Sequence, residues 1–392
     1  MRHSATGGAE DRRAGCSEGA ACGAPGKGFG PPPHIFYLCA AVNFVDIKTL
    51  TASEMKDWLA SAGHKAYRVE QIRGWLFRQR VRDWDSMVNV PPALREQIAG
   101  AFKLQSLQVA TESRSTDGTI KWLFRTHDGY HIETVLIPTD SRASVCVSTQ
   151  VGCAMGCAFC RTAKMGLLRN LEAGEILEQI MRVMWHLDDE GLNREVTNII
   201  FMGMGEPLMN IEHVHRTCVT LHDQKLFNMG RKRMTVSTSG VVPRIAELID
   251  RATPCCLAVS LNGTNDAMRE SVMPVNKSWN LDKLFGAIDE YIERTDEHVT
   301  LEYVLMKNIT CTPVAARELL RWTQQRKVKI NAIVLNDGDD PALQPPSQEE
   351  IDAFLEIVRA GQVIITLRNP RGRDIKAASG QLAYKQQRNT EC

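Results

Sequence analysis

The sequence predicts an α/β fold: a partial (β/α)6 barrel that follows a small N-terminal helical domain and a β-rich linker. From about residue 143, short β-branched runs alternate with segments of helical periodicity, which favours parallel strands joined by helices. Residues 104–142 instead contain short strands separated by hairpin turns, and residues 46–103 contain helical patterns. About six strand–helix units are too few for an eightfold barrel, so we expect an open one.

The composition is typical of a globular protein. The 392 residues are 43% hydrophobic and 24% charged, with a formal net charge of +1. Twelve cysteines in a chain of this length do not indicate a disulfide scaffold. No apolar run reaches the length of about 18 residues that a membrane span requires. We therefore expect a cytoplasmic protein, in which free thiols stay reduced, with no membrane partner.

The N-terminal part divides into two predicted regions. Residues 1–45 are rich in Gly, Ala, Ser and Pro without periodicity, which predicts a disordered extension. The helical domain, residues 46–103, starts with the capping-box pattern Thr51-Ala-Ser-Glu54 and continues with helices over about 69–80 and from Pro91. Within it, residues 64–82 carry six cations against the single acid Glu70. Such a face attracts phosphate backbones, and a solvated helix surface is the alternative.

The linker, residues 104–142, is predicted to contain strands over 106–111, 119–125 and 131–137. The core, residues 143–370, is predicted to contain strands over 143–149, 197–202, 233–238, 255–261, 299–305, 329–335 and 363–367. Helices are predicted between them, over 171–187, 213–222, 243–251, 281–292, 313–325 and 348–360. Residues 371–392 form a C-terminal segment.

The most specific feature of the sequence is a group of three cysteines, Cys153-Ala-Met-Gly-Cys157-Ala-Phe-Cys160, directly after the first core strand. Three soft thiolates from one loop indicate a metal or iron–sulfur site. The spacing differs from the paired C-x2-C of a structural zinc site. An iron–sulfur cluster with three local ligands would keep one iron open for a small molecule. Structural thiols, or zinc completed by a distant residue, are the alternatives.

Small polar residues and glycines follow several core strands. In a parallel α/β fold the carboxyl ends of the strands hold the ligand, so these residues are candidates for a cofactor pocket. Any one of them alone is more often part of an ordinary turn. The candidates are Gly203, Gly205, Glu206, Ser237, Ser260, Asn262 and Asn336.

The motifs together resemble the RlmN/Cfr family of radical S-adenosylmethionine (SAM) enzymes, which methylate adenosine carbons in RNA, and the RlmN branch is favoured. The resemblance covers about residues 46–387. It is carried by the cysteine loop, by Gly203-Met-Gly-Glu-Pro207 and Ser237-Thr-Ser-Gly-Val-Val-Pro243, and by Met273-Pro-Val-Asn-Lys277. It also includes Arg371-Gly-Arg-Asp-Ile-Lys-Ala-Ala-Ser-Gly-Gln-Leu382.

The resemblance implies the fold of a radical-SAM partial barrel and a set of functional residues. Cys153, Cys157 and Cys160 are implied to ligate a [4Fe-4S] cluster. The implied contacts to SAM are Gly205, Glu206, Ser237, Ser260, Leu261, Asn262 and Asn336. The implied substrates are 23S rRNA near the peptidyl-transferase centre and the adenosine after the anticodon of some tRNAs. A flavodoxin-like electron donor and a monomeric state are expected as well.

In this family a cysteine outside the cluster carries the methyl group to adenine C2, which transiently links the RNA to the protein. A base then removes the C2 proton, and a second cysteine resolves the link by forming a disulfide. The resemblance implies that Glu133 is the base and Cys146 the resolving thiol. The carrier position holds Ser379 instead of cysteine. A serine hydroxyl is a weak nucleophile and cannot form a disulfide.

Three interpretations follow from Ser379. The first is an RlmN-type methyltransferase whose activity is lost or altered at the carrier position. The second is a noncatalytic RNA-binding paralogue that keeps the cluster. The third is a radical SAM enzyme acting on another substrate. Glu133 and Cys146 argue against the second interpretation, because a binding protein needs neither a base nor a resolving thiol.

Overall fold

The computed structural model describes residues 45–139, 141–192, 194–336, 341–368, 371–372, 374–375 and 383. The predicted extension, apart from Val45, and the carrier position Ser379 lie outside the described residues.

The N-terminal domain is helical, as predicted. Its elements are β1 Val45–Asp46, α1 Ala52–Ser61, α2 Arg68–Arg73, a π-helical turn Gly74–Arg78, α3 Pro92–Ala101 and β2 Phe102–Lys103. The capping box is confirmed, because Thr51 Oγ1 accepts from the Glu54 N–H at 3.1 Å and Glu54 Oε2 accepts from the Thr51 N–H at 2.8 Å. The two short strands pair in parallel and bring the ends of the domain together.

The centre of the molecule is one ten-stranded sheet, in the order β14-β13-β12-β11-β10-β9-β6-β5-β4-β3. From β6 to β14 all neighbouring strands are parallel, whereas β3 to β6 pair antiparallel. Its strands are β3 Leu107–Arg114, β4 Ile120–Thr126, β5 His131–Pro138, β6 Arg142–Cys146, β9 Glu195–Phe201, β10 Met234–Thr238, β11 Cys256–Ser260, β12 Val299–Leu305, β13 Val328–Val334 and β14 Ile365–Arg368. A separate hairpin pairs β7 Gln150–Cys153 with β8 Gly166–Asn170.

Helices connect the parallel strands. They are α4 Ala173–Asp189, α5 Ile211–His222, α6 Val242–Asp250, α7 Asp266–Val272, α8 Leu281–Thr295, α9 Pro313–Thr323 and α10 Gln348–Ala360. Seven parallel strands with six helical crossovers form a partial barrel, which confirms the predicted fold class. Helix α7 and the β7–β8 hairpin are among the elements that were not predicted. Helix α7 has seven residues, too few to show a helical period, and the β7–β8 hairpin is interrupted by the long cysteine loop.

The segment predicted as a linker is an integral part of the sheet. Strands β3, β4 and β5 extend the barrel from its first strand, through the pairing of β5 with β6. The N-terminal domain is attached by a fully buried ionic group, in which Lys48 Nζ lies 2.8 Å from Asp46 and 3.2 Å from Glu178 on α4.

The predicted basic face is partly engaged within the protein. Arg80 pairs with Asp188 at 3.0 Å, and Arg82 pairs with Asp189 at 2.7 Å. Arg73 is buried and donates to a backbone carbonyl. Arg80 and Arg82 therefore link the domain to α4, and Arg73 lies in the interior of the domain. The charges of all three face protein groups. The other cations of residues 64–82 are Lys65, Arg68 and Arg78.

Candidate active site

A cavity of about 400 Å³ lies at the carboxyl ends of the parallel strands. Its walls come from the cysteine loop and from the ends of β9, β10, β11, β12 and β13. Nearly all residues predicted to hold the cluster and SAM line it: Cys153, Cys157, Cys160, Gly205, Glu206, Ser237, Ser260, Asn262 and Asn336. The fold thus gathers residues that are up to 183 positions apart, from Cys153 to Asn336, around one space.

The three cysteines lie on one wall of the cavity. Cys153 ends strand β7, and the Cys160 N–H donates to the Cys157 carbonyl at 3.1 Å. Burial raises the pKa of Cys153 and of Cys157 to about 12. Thiols in such a setting ionise readily only when a metal replaces the proton, so the donor set suits metal binding.

The three thiols provide the donor set that an iron–sulfur cluster requires. Within the ranges that the structure describes, no three His, Cys, Asp or Glu side chains converge closely enough to hold one metal ion. In a four-iron cluster each thiolate binds a different iron, so such convergence is not required. The cysteine wall therefore fits an iron–sulfur cluster.

Two glycines allow the loop after β9 to pack closely against the cysteine-bearing segment. A Cβ on Gly203 would lie 2.6 Å from the Val147 carbonyl oxygen. Gly205 has a φ of +103°, and a Cβ there would lie 2.6 Å from the Gln150 side chain. Only glycine satisfies both requirements at position 205.

Glu206 connects the ends of two strands. Its Oε2 accepts from the Ser239 N–H at 2.7 Å, after β10, and its Oε1 accepts from the Leu208 N–H at 3.1 Å. Burial raises the pKa of this carboxyl group, and the backbone donors partly oppose that effect. The side chain forms part of the cavity wall and offers it a carboxylate.

Asn262 also links two elements of the cavity wall. Its Oδ1 accepts from the Val304 N–H at 2.8 Å, which ties the loop after β11 to strand β12. Leu261 differs from the other predicted contacts, because it is fully buried and absent from the cavity lining.

The cavity lining includes an acidic residue that was not predicted. Glu302 on β12 lines the cavity, is 7% exposed, and accepts from Asn331 Nδ2 at 2.9 Å. Burial raises the pKa of its carboxyl group. Its position within a strand gave no signal in the sequence, because an acidic residue in a strand usually faces solvent.

The predicted base and resolving thiol share one face of the sheet. Across β4, β5 and β6, Lys121 is opposite Val135 and Val135 is opposite Cys146, while Glu133 lies two positions from Val135. Lys121 Nζ lies 2.7 Å from Glu133 Oε2, and both side chains are buried. Burial lowers the pKa of Lys121. The lysine was not predicted as a site residue.

Cys146 lies close to the cavity. Burial of its thiol raises its pKa to about 12, whereas a hydrogen bond from the Met202 backbone and the charge of Lys121 lower it. Met202 itself lines the cavity. The eight cysteines in the described part of the chain are all free, so the disulfide expected from the resemblance is absent there. Its expected partner position holds serine, which cannot form one.

Comparison with known proteins identifies the family. The profile described as the radical SAM superfamily matches residues 147–316, and that of the ribosomal RNA large subunit methyltransferase N-terminal domain matches residues 45–104. A probable dual-specificity RNA methyltransferase RlmN from Geobacillus kaustophilus is 39% identical over 342 residues, which cover 87% of this chain and 93% of that protein. The chain belongs to the RlmN family of radical SAM RNA methyltransferases.

A further RlmN relative and a solved structure support the same family. The dual-specificity RNA methyltransferase RlmN of Anaeromyxobacter dehalogenans is 39% identical over 86% of this chain and 91% of its own length. The crystal structure of a radical SAM methyltransferase from Sphaerobacter thermophilus superposes with a TM-score of 0.82 at 42% identity. The superposition covers 86% of this chain and 98% of the Sphaerobacter protein. Membership in the RlmN family makes this chain an enzyme by family. None of the described helices is long and apolar enough to cross a membrane.

Proposed function

We propose that this protein is an RlmN-type enzyme that acts on C2 of adenine in 23S rRNA and in the anticodon region of some tRNAs. Cys153, Cys157 and Cys160 would hold a [4Fe-4S] cluster. The cavity of about 400 Å³ beside them would hold SAM. The observation that carries the proposal is that residues from the cysteine loop and five strand ends line this one cavity, beside the face that bears Glu133 and Cys146.

Adenine C2 has little nucleophilicity, so polar methyl transfer from a sulfonium to this carbon is unfavourable. When bound, the cluster and SAM supply the one-electron chemistry that this carbon requires. Gly205, Glu206, Ser237, Ser260, Asn262 and Asn336 are the proposed SAM contacts, with Leu261 acting through its buried position.

Glu133 is the proposed acceptor of the C2 proton. Its Oε2 lies 2.7 Å from Lys121 Nζ, and this buried contact fixes the position of the carboxyl group. Cys146 is the proposed resolving thiol. Burial raises the pKa of its thiol to about 12, and the nearby charge of Lys121 partly opposes that effect.

The proposed RNA surface includes Lys65 and Arg78, two exposed cations of the N-terminal domain, and the exposed Lys232 and Arg233 before β10. Within the described part of the chain, Lys65 and Arg78 form no ion pair and can neutralise phosphates. Arg80 and Arg82 already face Asp188 and Asp189, and Lys232 Nζ lies 3.9 Å from Glu297 Oε2. The proposed setting is the cytoplasm, with a flavodoxin-like electron donor and a monomeric protein.

Ser379 determines what the chain does with a bound RNA. Without a carrier cysteine, we propose that cluster and SAM bind but that the methyl group is not delivered to RNA through position 379. The test is anaerobic reconstitution of the cluster, followed by addition of reductant, SAM and ribosomal RNA. Both 5′-deoxyadenosine and 2-methyladenosine are then quantified for the native chain and for Ser379→Cys.

Each result has one meaning. Absence of both products from the native chain, with both restored by Ser379→Cys, supports an RlmN-type site blocked at the carrier. Methylated RNA from the native chain overturns the role given to Ser379. Deoxyadenosine without methylated RNA in both proteins favours a radical SAM enzyme with another substrate. A chain that retains RNA but gives neither product even with cysteine at position 379 is the noncatalytic RNA-binding paralogue.

A further inference from the structure

Arg269 is a fully buried cation next to the cysteine loop. It lies on helix α7 and is 0% exposed. Its guanidinium donates to the Leu261 carbonyl at 2.9 Å, the Ser239 carbonyl at 2.6 Å and the Ser260 carbonyl at 3.3 Å. It also donates to Asn276 Oδ1 at 3.0 Å. All four acceptors are neutral oxygens.

The guanidinium has no ion pair with a carboxylate among the described residues. Asp266 is the nearest carboxylate in its network, and it is reached through Asn276, whose Nδ2 donates to Asp266 Oδ1 at 3.0 Å. That carboxylate also accepts from the Leu281 N–H at 2.9 Å. A buried charge is costly unless an opposite charge lies close by. A further anion close to Arg269 would therefore lower the free energy of the folded protein.

The cysteine loop packs directly on the segment that carries Arg269. The Ala158 N–H donates to the Val272 carbonyl at 2.9 Å, at the end of α7. A Cβ on Gly156 would lie 3.5 Å from Pro274. Burial lowers the pKa of Arg269 to about 10, and the nearby Cys157 and Asp266 partly oppose that effect.

We propose that Arg269 is the buried counter-charge of the cluster held by Cys153, Cys157 and Cys160, and that its positive charge favours the reduced cluster. The inference rests on the cluster site proposed above. A thiolate-ligated cluster becomes more negative on reduction, and nearby charge is one of the factors that set its potential. The same side chain holds the ends of β10 and β11 together, so it is a positioning residue for two strands that line the cavity.

The test separates charge from hydrogen bonding. Arg269→Gln keeps polar donors but removes the charge, and Arg269→Lys keeps the charge with fewer donors. Arg73→Gln is the matched control, because Arg73 is also buried and donates to a backbone carbonyl, but in the N-terminal domain. All variants are reconstituted anaerobically, their iron and sulfide are counted, and the cluster is titrated electrochemically with electron paramagnetic resonance detection.

We expect Arg269→Gln to lower the ratio of reduced to oxidised cluster about tenfold at a fixed applied potential, which corresponds to about 59 mV for one electron. Arg269→Lys and Arg73→Gln should stay within about threefold of the native ratio, since each keeps the charge beside the cluster. In thermal unfolding, cluster loading should raise the melting temperature less in Arg269→Gln than in the native protein, each compared with its own apoprotein.

An unchanged potential in Arg269→Gln overturns the proposal. Equal shifts in Arg269→Gln and Arg269→Lys also overturn it, because hydrogen bonding would then be responsible. An unfolded Arg269→Gln apoprotein shows a structural role only and contradicts the proposal. If the native chain takes up no iron and sulfide, the proposed function itself fails, which is a different result.

Discussion

The backbone N–H of Ala383 donates a hydrogen bond of 2.8 Å to Oε1 of Glu133, across 250 residues of sequence. Ala383 is fully buried and follows directly the motif that contains Ser379. The other carboxylate oxygen of Glu133 lies 2.7 Å from Lys121 Nζ. The carboxyl group that we propose as the base therefore also links Ala383 to the sheet.

Glu133→Gln should destabilise the protein by about 3–5 kcal/mol, because it leaves Lys121 as a buried charge without its carboxylate. Urea unfolding measures the free energy, and hydrogen exchange at Ala383 should become faster. The double variant Glu133→Gln with Lys121→Met is the control and should recover much of the loss. A cost below about 1 kcal/mol for the single variant would show that the pair is solvated in solution.

Cys146 should react slowly with iodoacetamide at pH 8. Its pKa is raised to about 12 by burial, and only the thiolate reacts. Relative to a cysteine with the ordinary pKa of 9.0, the thiolate fraction at this pH is lower by about a thousandfold. The rate should rise about tenfold per pH unit from pH 7 to 10, as followed by mass spectrometry. A plateau of the rate near pH 9, as an unstructured cysteine peptide shows, would contradict the raised pKa of Cys146.

Gly205→Ala should cost on the order of 1–3 kcal/mol of stability, because a φ of +103° and the contact with Gln150 both exclude a Cβ. Binding of SAM by the reconstituted protein should weaken as well. Gly286→Ala is the control, since Gly286 lies in helix α8 and a Cβ there would meet nothing within 4 Å. This change should stabilise by about 0.5–1 kcal/mol in chemical denaturation. Equal effects of the two substitutions would be inconsistent with the close packing at Gly205.

Lys48→Met should destabilise by about 3–5 kcal/mol, because it leaves Asp46 and Glu178 as neighbouring buried acids. Loss of the attachment of the N-terminal domain should appear as an early transition in urea. Lys225→Met, which removes a pair whose two side chains are each 73% exposed, should change stability by less than about 0.5 kcal/mol. A small effect of Lys48→Met would mean that other contacts hold the domain in place.

Arg78→Ala should weaken RNA binding uniformly and lower the slope of log affinity against log salt by about one. Arg80→Ala should leave that slope unchanged, because Arg80 already pairs with Asp188 at 3.0 Å. Filter binding of ribosomal RNA fragments over a salt series measures both. If Arg80→Ala lowers the slope as much as Arg78→Ala, the ion pair opens when RNA binds.

Local patterns predicted much of the fold and part of the site. The capping box at Thr51, the alternation of strands and helices, and the spacing of Cys153, Cys157 and Cys160 are all short-range features of the chain. The location of the cavity at the strand ends followed from these patterns, because parallel strands place their carboxyl ends at one edge of the sheet. The seven residues of α7 and the acid Glu302 inside β12 gave no such pattern.

The sequence by itself thus determined the barrel, the cysteine loop, the family and the serine at position 379. Only the tertiary structure decided which charges meet: Lys121 with Glu133, Arg82 with Asp189 across 107 residues, and Arg269 with the strand ends beside the cysteine loop. Periodicity and spacing arise from contacts within a helix, strand or turn, and these can be seen in a short window. Partners far apart in sequence are selected by packing of the whole chain, so their identity appears only once the fold is complete.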